Sequence, residues 1–244
     1  MIRPIKNYIR KIVFRFIKPQ IVTTHVTVPN SYAQVGEDII LKFLFNSVGI
    51  VAPSYVDIGS HKSDWGNNTY VSYLAGGKGV SIEPDPGLFT HYKDARPNDI
   101  CINAAIGFDD AAETDFYLFD EPSLNTMSKE EANRRDSIGE FKLLEKIKVP
   151  MLRLENVIEN NFTGLPHFIS LDAEGVDFDI LKSFDFEKYP VPVWVVETVD
   201  YSVSYIKNKN LALINFMETK GYFVYAEHIL IPFLLILFGI IHSR

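Results

Sequence analysis

The sequence has 244 residues, 47% hydrophobic and 23% charged, which suits one large α/β domain with a core of its own. A single cysteine, Cys101, excludes an internal disulfide and a cysteine-rich zinc site, and it reads as a small buried hydrophobe in a strand. The net charge of -7 is unevenly placed: residues 1–20 carry Arg3, Lys6, Arg10, Lys11, Arg15 and Lys18 and no acid. The remainder is therefore more acidic still, and no nucleic-acid partner is expected, because phosphate contacts require a basic face.

Residues 1–18 have apolar positions at helical spacing (Ile2, Ile5, Ile9, Ile12, Val13, Phe16, Ile17) with basic residues between them. This predicts a basic amphipathic helix without the apolar core and cleavage site of a secretory signal. It suits an anionic membrane surface or a partner protein, or it packs on the domain with a solvated basic face. Pro19 ends it, and residues 20–29 read as a linker or an edge strand. The domain boundary is placed at residue 30, with residues 31–244 as the second unit.

Ser31-Tyr-Ala-Gln-Val-Gly-Glu-Asp38 leads into a helix over Ile39–Phe45. Gln34, Glu37 and Asp38 sit at its start, either as caps and macrodipole partners or as a lip over a ligand site. Tyr55–Ile58 is an apolar run carrying Asp57 and ending in Gly59, with a helix from about Asn68. This is the strand, loop, helix opening of a nucleotide-binding α/β sheet. Gly79–Ile82 is the second strand. Glu83 ends it, about 24 residues after Gly59, near the ~20-residue spacing at which an acid takes ribose hydroxyls.

The pattern then repeats. Helix Pro86–Ala95 is followed by strand Ile100–Ile106 and strand Thr114–Phe119. Leu124–Ser128 is a polar loop, and the Ser128, Glu131 spacing predicts a capping box opening a charged helix to about Lys146. A short strand Val149–Leu152 and a helix Leu154–Asn160 come next. Strand Phe168–Leu171 delivers Asp172 and Glu174, helix Phe178–Phe184 follows, and strand Val193–Val196 ends at Glu197. Helix Leu211–Lys220, strand Gly221–Tyr225 and an apolar tail over Ile229–Ile241 complete the chain. The tail is too short for the ~20 residues that cross a bilayer and reads as a final buried strand.

Asp57, Glu83, Asp172 and Glu197 thus all fall at or near strand ends. In a parallel sheet with right-handed crossovers those ends share one edge, and this convergence predicts an active site there. His61 sits in the ligand loop, as a base or as a loop-stabilising histidine. Trp65 and Tyr70 read as core packing or as part of a wall.

Six stretches in series resemble the FkbM family of S-adenosylmethionine-dependent methyltransferases. They are Ser31-Tyr-Ala-Gln-Val-Gly-Glu-Asp-Ile-Ile-Leu41, Val56-Asp-Ile-Gly-Ser60, Asn68-Thr-Tyr70, Ile82-Glu-Pro84, Leu124-Asn-Thr-Met-Ser128 and Leu171-Asp-Ala-Glu-Gly175. The resemblance runs from about Ser31 to Glu197. It implies a Rossmann-like class I methyltransferase fold: a mostly parallel seven-stranded sheet with helices on both faces and an antiparallel last strand. It implies S-adenosylmethionine as cofactor and methyl transfer to an oxygen, often on a sugar or natural-product scaffold. Carried over, Asp57, Gly59 and Ser60 match the turn under the methionine part, Glu83 the ribose acid, and Asn103 with Ala104 the adenine side. Gln34 and Glu37 match a motif placed beside the cofactor. After Gly59 come Ser60, His61 and Lys62, where many methyltransferases carry a Gly-x-Gly series.

Removing a proton from a sugar hydroxyl calls for a base or a metal. Asp172 and Glu174 are the candidate catalytic acids. With Glu197 they are also the candidate ligands of Mg²⁺ through oxygen atoms. The leading expectation is an O-methyltransferase of a saccharide or glycan precursor in polysaccharide biosynthesis. It would be cytoplasmic, with residues 1–18 at the inner membrane surface or on a partner protein. The alternatives are N- or carboxyl-methylation of a small metabolite and a non-catalytic cofactor-binding or interaction module.

Overall fold

The computed structural model describes residues 31–197, 210–227 and 235–239 of the chain. The expected basic helix over residues 1–18, the linker at 20–29 and the rest of the apolar tail lie outside the described residues.

In chain order the elements are α1 (Glu37–Ser47), β1 (Tyr55–Ile58), α2 (Tyr70–Leu74), β2 (Gly79–Ile82) and α3 (Pro86–Ala95). Then come β3 (Ile100–Ile102), β4 (Ala105–Gly107), β5 (Glu113–Phe119), a 3₁₀ turn at Pro122–Leu124, α4 (Lys129–Ile138) and β6 (Leu143–Arg153). The chain continues with α5 (Leu154–Asn161), β7 (Phe168–Leu171), α6 (Asp177–Ser183), β8 (Val193–Val196), α7 (Leu211–Thr219), β9 (Tyr222–Glu227) and β10 (Leu235–Gly239). Among the described residues no helix is long and apolar enough to cross a membrane.

The main sheet has the order β3-β2-β1-β7-β8-β10-β9. Its first five strands are parallel, and β10 runs antiparallel to both of its neighbours. A parallel sheet must be covered on both faces, so its strands are apolar on both. One face presents Val56, Ile58, Val80, Ile82, Ile169, Leu171, Trp194 and Val196 to the larger core. The other presents Tyr55, Phe168, Val193 and Val195 to Leu41, Leu44 and Phe45 of α1. Each such side chain contributes roughly 1.5–3 kcal/mol on burial.

One polar row interrupts the second face. Ser81, Asp57 and Ser170 lie side by side across β2, β1 and β7. Arg96, just past α3, is fully buried near this row. Its guanidinium donates to the carbonyl of Ser63, to Oδ1 of Asn67 at 2.6 Å, to Oγ1 of Thr69 at 3.0 Å and to Asp99 at 3.4 Å. It also lies about 5 Å from the rings of Tyr70, Tyr73 and Tyr92.

Two expectations are corrected here. The charged helix does not reach Lys146. Gly139 adopts the left-handed conformation that stops α4. The segment that follows then alternates, with Ile147, Val149 and Met151 turned inward while Lys146 and Lys148 pair with Asp115 outside. Nor is Ile100–Ile106 one strand. It breaks at Asn103, so that β3 pairs with β2 while β4 joins a second sheet of order β4-β6-β5. Asn103 sits at the break and donates its amide to the carbonyls of Glu83 at 2.8 Å and Pro84 at 3.1 Å.

Candidate functional site

The order of the sheet reverses between β1 and β7, and a crevice opens at such a switch point outside the carboxyl ends of the strands. Here β1 runs into Gly59 and β7 into Asp172. The two chain segments touch: a Cβ built on Gly59 would stand 1.8 Å from the carbonyl oxygen of Asp172. Gly59 also has φ 72, which L side chains rarely adopt. Only glycine fits on both counts.

Beside this contact is a cavity with about 750 Å³ of empty space, its open mouth included. It is lined by Ile82, Glu83, Pro84, Leu88, Ala104 and Ile106, by Asp172 and Glu174, and by Gln34, His61, Asn125 and Met127.

Glu83 is buried, and its carboxylate accepts from the backbone N–H of His61 at 2.8 Å and of Asp85 at 2.9 Å. Burial pushes its pKa up to about 7, against the pull of those two N–H groups. His61 has φ 48, a strained backbone for a residue with a Cβ. Its Nε2 is buried with no hydrogen-bond partner among the described residues. Burial, with Lys62 alongside, holds its imidazole below the ordinary range.

Asp172 and Glu174 follow β7 and face one another electrostatically. Burial, then the charges of Glu174 and Asp177, raises the pKa of Asp172 well above the usual carboxylate range. Its Oδ1 is buried and unpartnered. A buried acceptor left in that state costs roughly 1–3 kcal/mol. Glu174 has φ 51, and its carbonyl accepts from Oγ1 of Thr126 at 2.7 Å. Its carboxylate accepts from Arg135 at 2.6 Å, while burial raises its pKa to about 7. Asp172, Glu174 and Glu197 each offer a carboxylate oxygen, all within 4.8 Å of one another.

Of the residues singled out in the sequence, Gln34, Gly59, Glu83, Ala104, Asp172 and Glu174 line the cavity. Glu37, Asp57, Ser60 and Asn103 do not line it; they brace the loops that do. The Asp57 carboxylate accepts from Asn67 at 3.0 Å, Thr69 at 2.8 Å and Tyr92 at 3.3 Å, all inside the protein. Glu37 takes the backbone N–H of Val35 at 3.0 Å, and Ser60 reaches the carbonyl of Ile82 at 3.4 Å. Trp65 is largely exposed, with Lys62 over its ring.

Two arginines were missed. Arg96 ties the Ser63–Thr69 loop to the sheet, and Arg135 ties α4 to Glu174 and to the carbonyl of Leu124. Neither carried a signal in the sequence, since Arg135 lies in a charged helix and Arg96 just past the end of one, where a basic residue is ordinarily solvated.

The donor set fits a nucleoside cofactor. Among the lining residues Glu83 offers a buried acceptor carboxylate, Ile82, Leu88 and Ala104 are apolar, and His61 carries an orphaned polar atom.

None of the curated proteins matches the sequence. Among solved structures, a TehB-like methyltransferase from Corynebacterium glutamicum is 10% identical, with 96% of each chain covered and a TM-score of 0.42. The 16S rRNA methylase ArmA is 10% identical, with 84% of this chain and 82% of that chain covered and a TM-score of 0.40. A model of the methyltransferase FkbM domain matches residues 57–224, more than half of the chain. The protein therefore belongs to the FkbM family of S-adenosylmethionine-dependent methyltransferases.

Proposed function

We propose that the chain methylates a hydroxyl oxygen, on a saccharide or glycan precursor, with Asp172 as general base. The observation that carries this reading is the state of Asp172: a half-buried carboxyl of raised pKa, with one oxygen unpartnered, on the wall of the cavity. A hydroxyl holds its proton tightly, so transfer to it gains most from such a base. A carboxylate acceptor is already ionised, and a neutral amine has its own free electron pair.

The bound sulfonium cofactor supplies an activated methyl group. Glu83 would hold its ribose hydroxyls, with Ala104, Ile82 and Leu88 along the adenine and Gln34 and the Gly59 turn toward the methionine part. Glu174, fixed by Arg135 and Thr126, would orient the acceptor beside Asp172. Glu37, Asp57, Ser60 and Asn103 serve the cofactor indirectly, through the loops they hold. Residues 1–18 suit contact with an anionic membrane surface or a partner protein.

A second reading concerns metal. The convergence of Asp172, Glu174 and Glu197 within 4.8 Å is donor chemistry that suits Mg²⁺. Arg135 competes with a cation for Glu174, which favours the metal-free base.

The test begins with S-adenosylhomocysteine titrated into the purified chain and into Glu83→Ala. Label transfer from S-adenosylmethionine is then screened over saccharides, amines, carboxylates and RNA, with and without chelator. Label on a saccharide hydroxyl, lost in Asp172→Asn and insensitive to chelator, is the expected result. Transfer only to nitrogen, carboxylate or RNA sinks the acceptor, and loss of turnover to chelator alone moves the mechanism to the metal.

A further inference from the structure

The backbone at residue 61 is left-handed, with φ 48, a conformation that glycine holds without strain. In a Gly-x-Gly loop the second glycine falls two residues after the first, so Gly59 places it at 61. In a dinucleotide loop that glycine lets the backbone approach the ligand. His61 keeps the glycine-like backbone and adds an imidazole.

Three observations say where this imidazole acts. The residue lines the cavity, and its own N–H donates to Oε2 of Glu83 at 2.8 Å. Asp85, one of the acids whose charge acts on the ring, has its own N–H held by Glu83 at 2.9 Å. Its Nε2 is buried with no hydrogen-bond partner among the described residues. Strained backbone of this kind persists where the surroundings over-determine it, and it clusters at ligand sites. A neutral imidazole has one donor and one acceptor nitrogen, which matches a hydroxyl in either direction.

We propose that His61 is a cofactor-recognition residue whose Nε2 hydrogen-bonds a ribose hydroxyl of the bound cofactor, sharing the ribose diol with Glu83. This rests on the cavity being the cofactor pocket. A loop of the Gly-x-Gly kind offers only backbone at this point. Here a side chain reads the sugar, and the acid at the end of β2 is no longer its sole recognition group.

The test is calorimetry on the full chain with S-adenosylhomocysteine and with its 2′-deoxy and 3′-deoxy analogues. His61→Gly is the main variant, because glycine keeps the left-handed backbone and relieves its strain. His61→Asn and Glu83→Ala accompany it, and thermal melting checks that each is folded. His61→Gly is expected to weaken S-adenosylhomocysteine roughly 3–10-fold, the scale of one net hydrogen bond. With the analogue lacking the hydroxyl that Nε2 reads, wild type and His61→Gly are expected to bind alike. Wild-type affinity in His61→Gly overturns the proposal, as does an equal loss across all three ligands. Failure of the folded wild type to bind S-adenosylhomocysteine overturns the cavity assignment itself, and His61 falls with it.

Discussion

Arg135 of α4 donates from Nη2 to Oε2 of Glu174 at 2.6 Å, and from Nη1 to the carbonyl of Leu124. One buried guanidinium thus fixes a cavity acid to the loop whose residues Ser123 and Asn125 line the cavity. The arginine opposes burial in setting the pKa of Glu174 at about 7. Replacing it with glutamine, Arg135→Gln, should raise that pKa by about one pH unit or more. Carbon-detected NMR titration of the carboxyl resonances measures this directly. An unmoved Glu174 would mean that burial alone sets its charge.

Arg96 is the larger structural commitment. It is 0% exposed and faces Asp99, whose side chain is equally buried. Removing one partner of a buried ion pair leaves a charge without compensation, at a cost of about 3–5 kcal/mol. Arg96→Met should therefore lower the urea midpoint by that equivalent. It should also free the Ser63–Thr69 loop, whose carbonyl and amide oxygens the guanidinium binds. A loss below about 1 kcal/mol would show that the surrounding tyrosines and hydroxyls do not depend on the charge.

How much of this was legible follows from what each residue does. Strands β1, β2, β7 and β8 were readable because both of their faces are buried, so each is a short apolar run; Asp57 lies within β1, and Glu83, Asp172 and Glu197 follow the other three. The convergence of those ends at one edge followed from parallel topology alone. The helix end at Gly139 was missed because the charged run beyond it pairs antiparallel with β5, and charge does not distinguish helix from strand. Arg96 and Arg135 were missed because burial of a long basic side chain is a tertiary event. The internal hydrogen bonds of Asp57 were hidden for the same reason: they run to Asn67, Thr69 and Tyr92, which the fold alone brings to its carboxylate.

The Gly59 contact gives the third prediction. Gly59→Ala places a Cβ 1.8 Å from a backbone carbonyl and forces a left-handed φ on alanine. No flexible side chain can yield, so the ends of β1 and β7 must separate. We expect S-adenosylhomocysteine binding to fall at least tenfold while circular dichroism keeps the α/β signature. Retained affinity would show that the cavity tolerates separation at the switch point.

The last prediction turns on the sign of one ionisation. The pKa of Glu83 is raised to about 7 in the folded chain, from 4.5 as its ordinary value. The folded state therefore holds a proton that the unfolded state has released. The stability linked to this group is present below pH 4.5 and is lost as pH rises through about 7. Binding runs the other way. A ribose diol donates to a carboxylate, so the ionised form is the competent one. Affinity for S-adenosylhomocysteine should then rise through about pH 7 and fall about tenfold for each pH unit below it. Glu83→Gln removes the titration while keeping the shape. In that variant binding should be weak and nearly flat from pH 5.5 to 8, and thermal stability should lose its decline over the same range. A slope that survives the substitution would assign the proton to His61, Asp172 or Glu174 instead, and the ribose would then be held without help from the charge of Glu83.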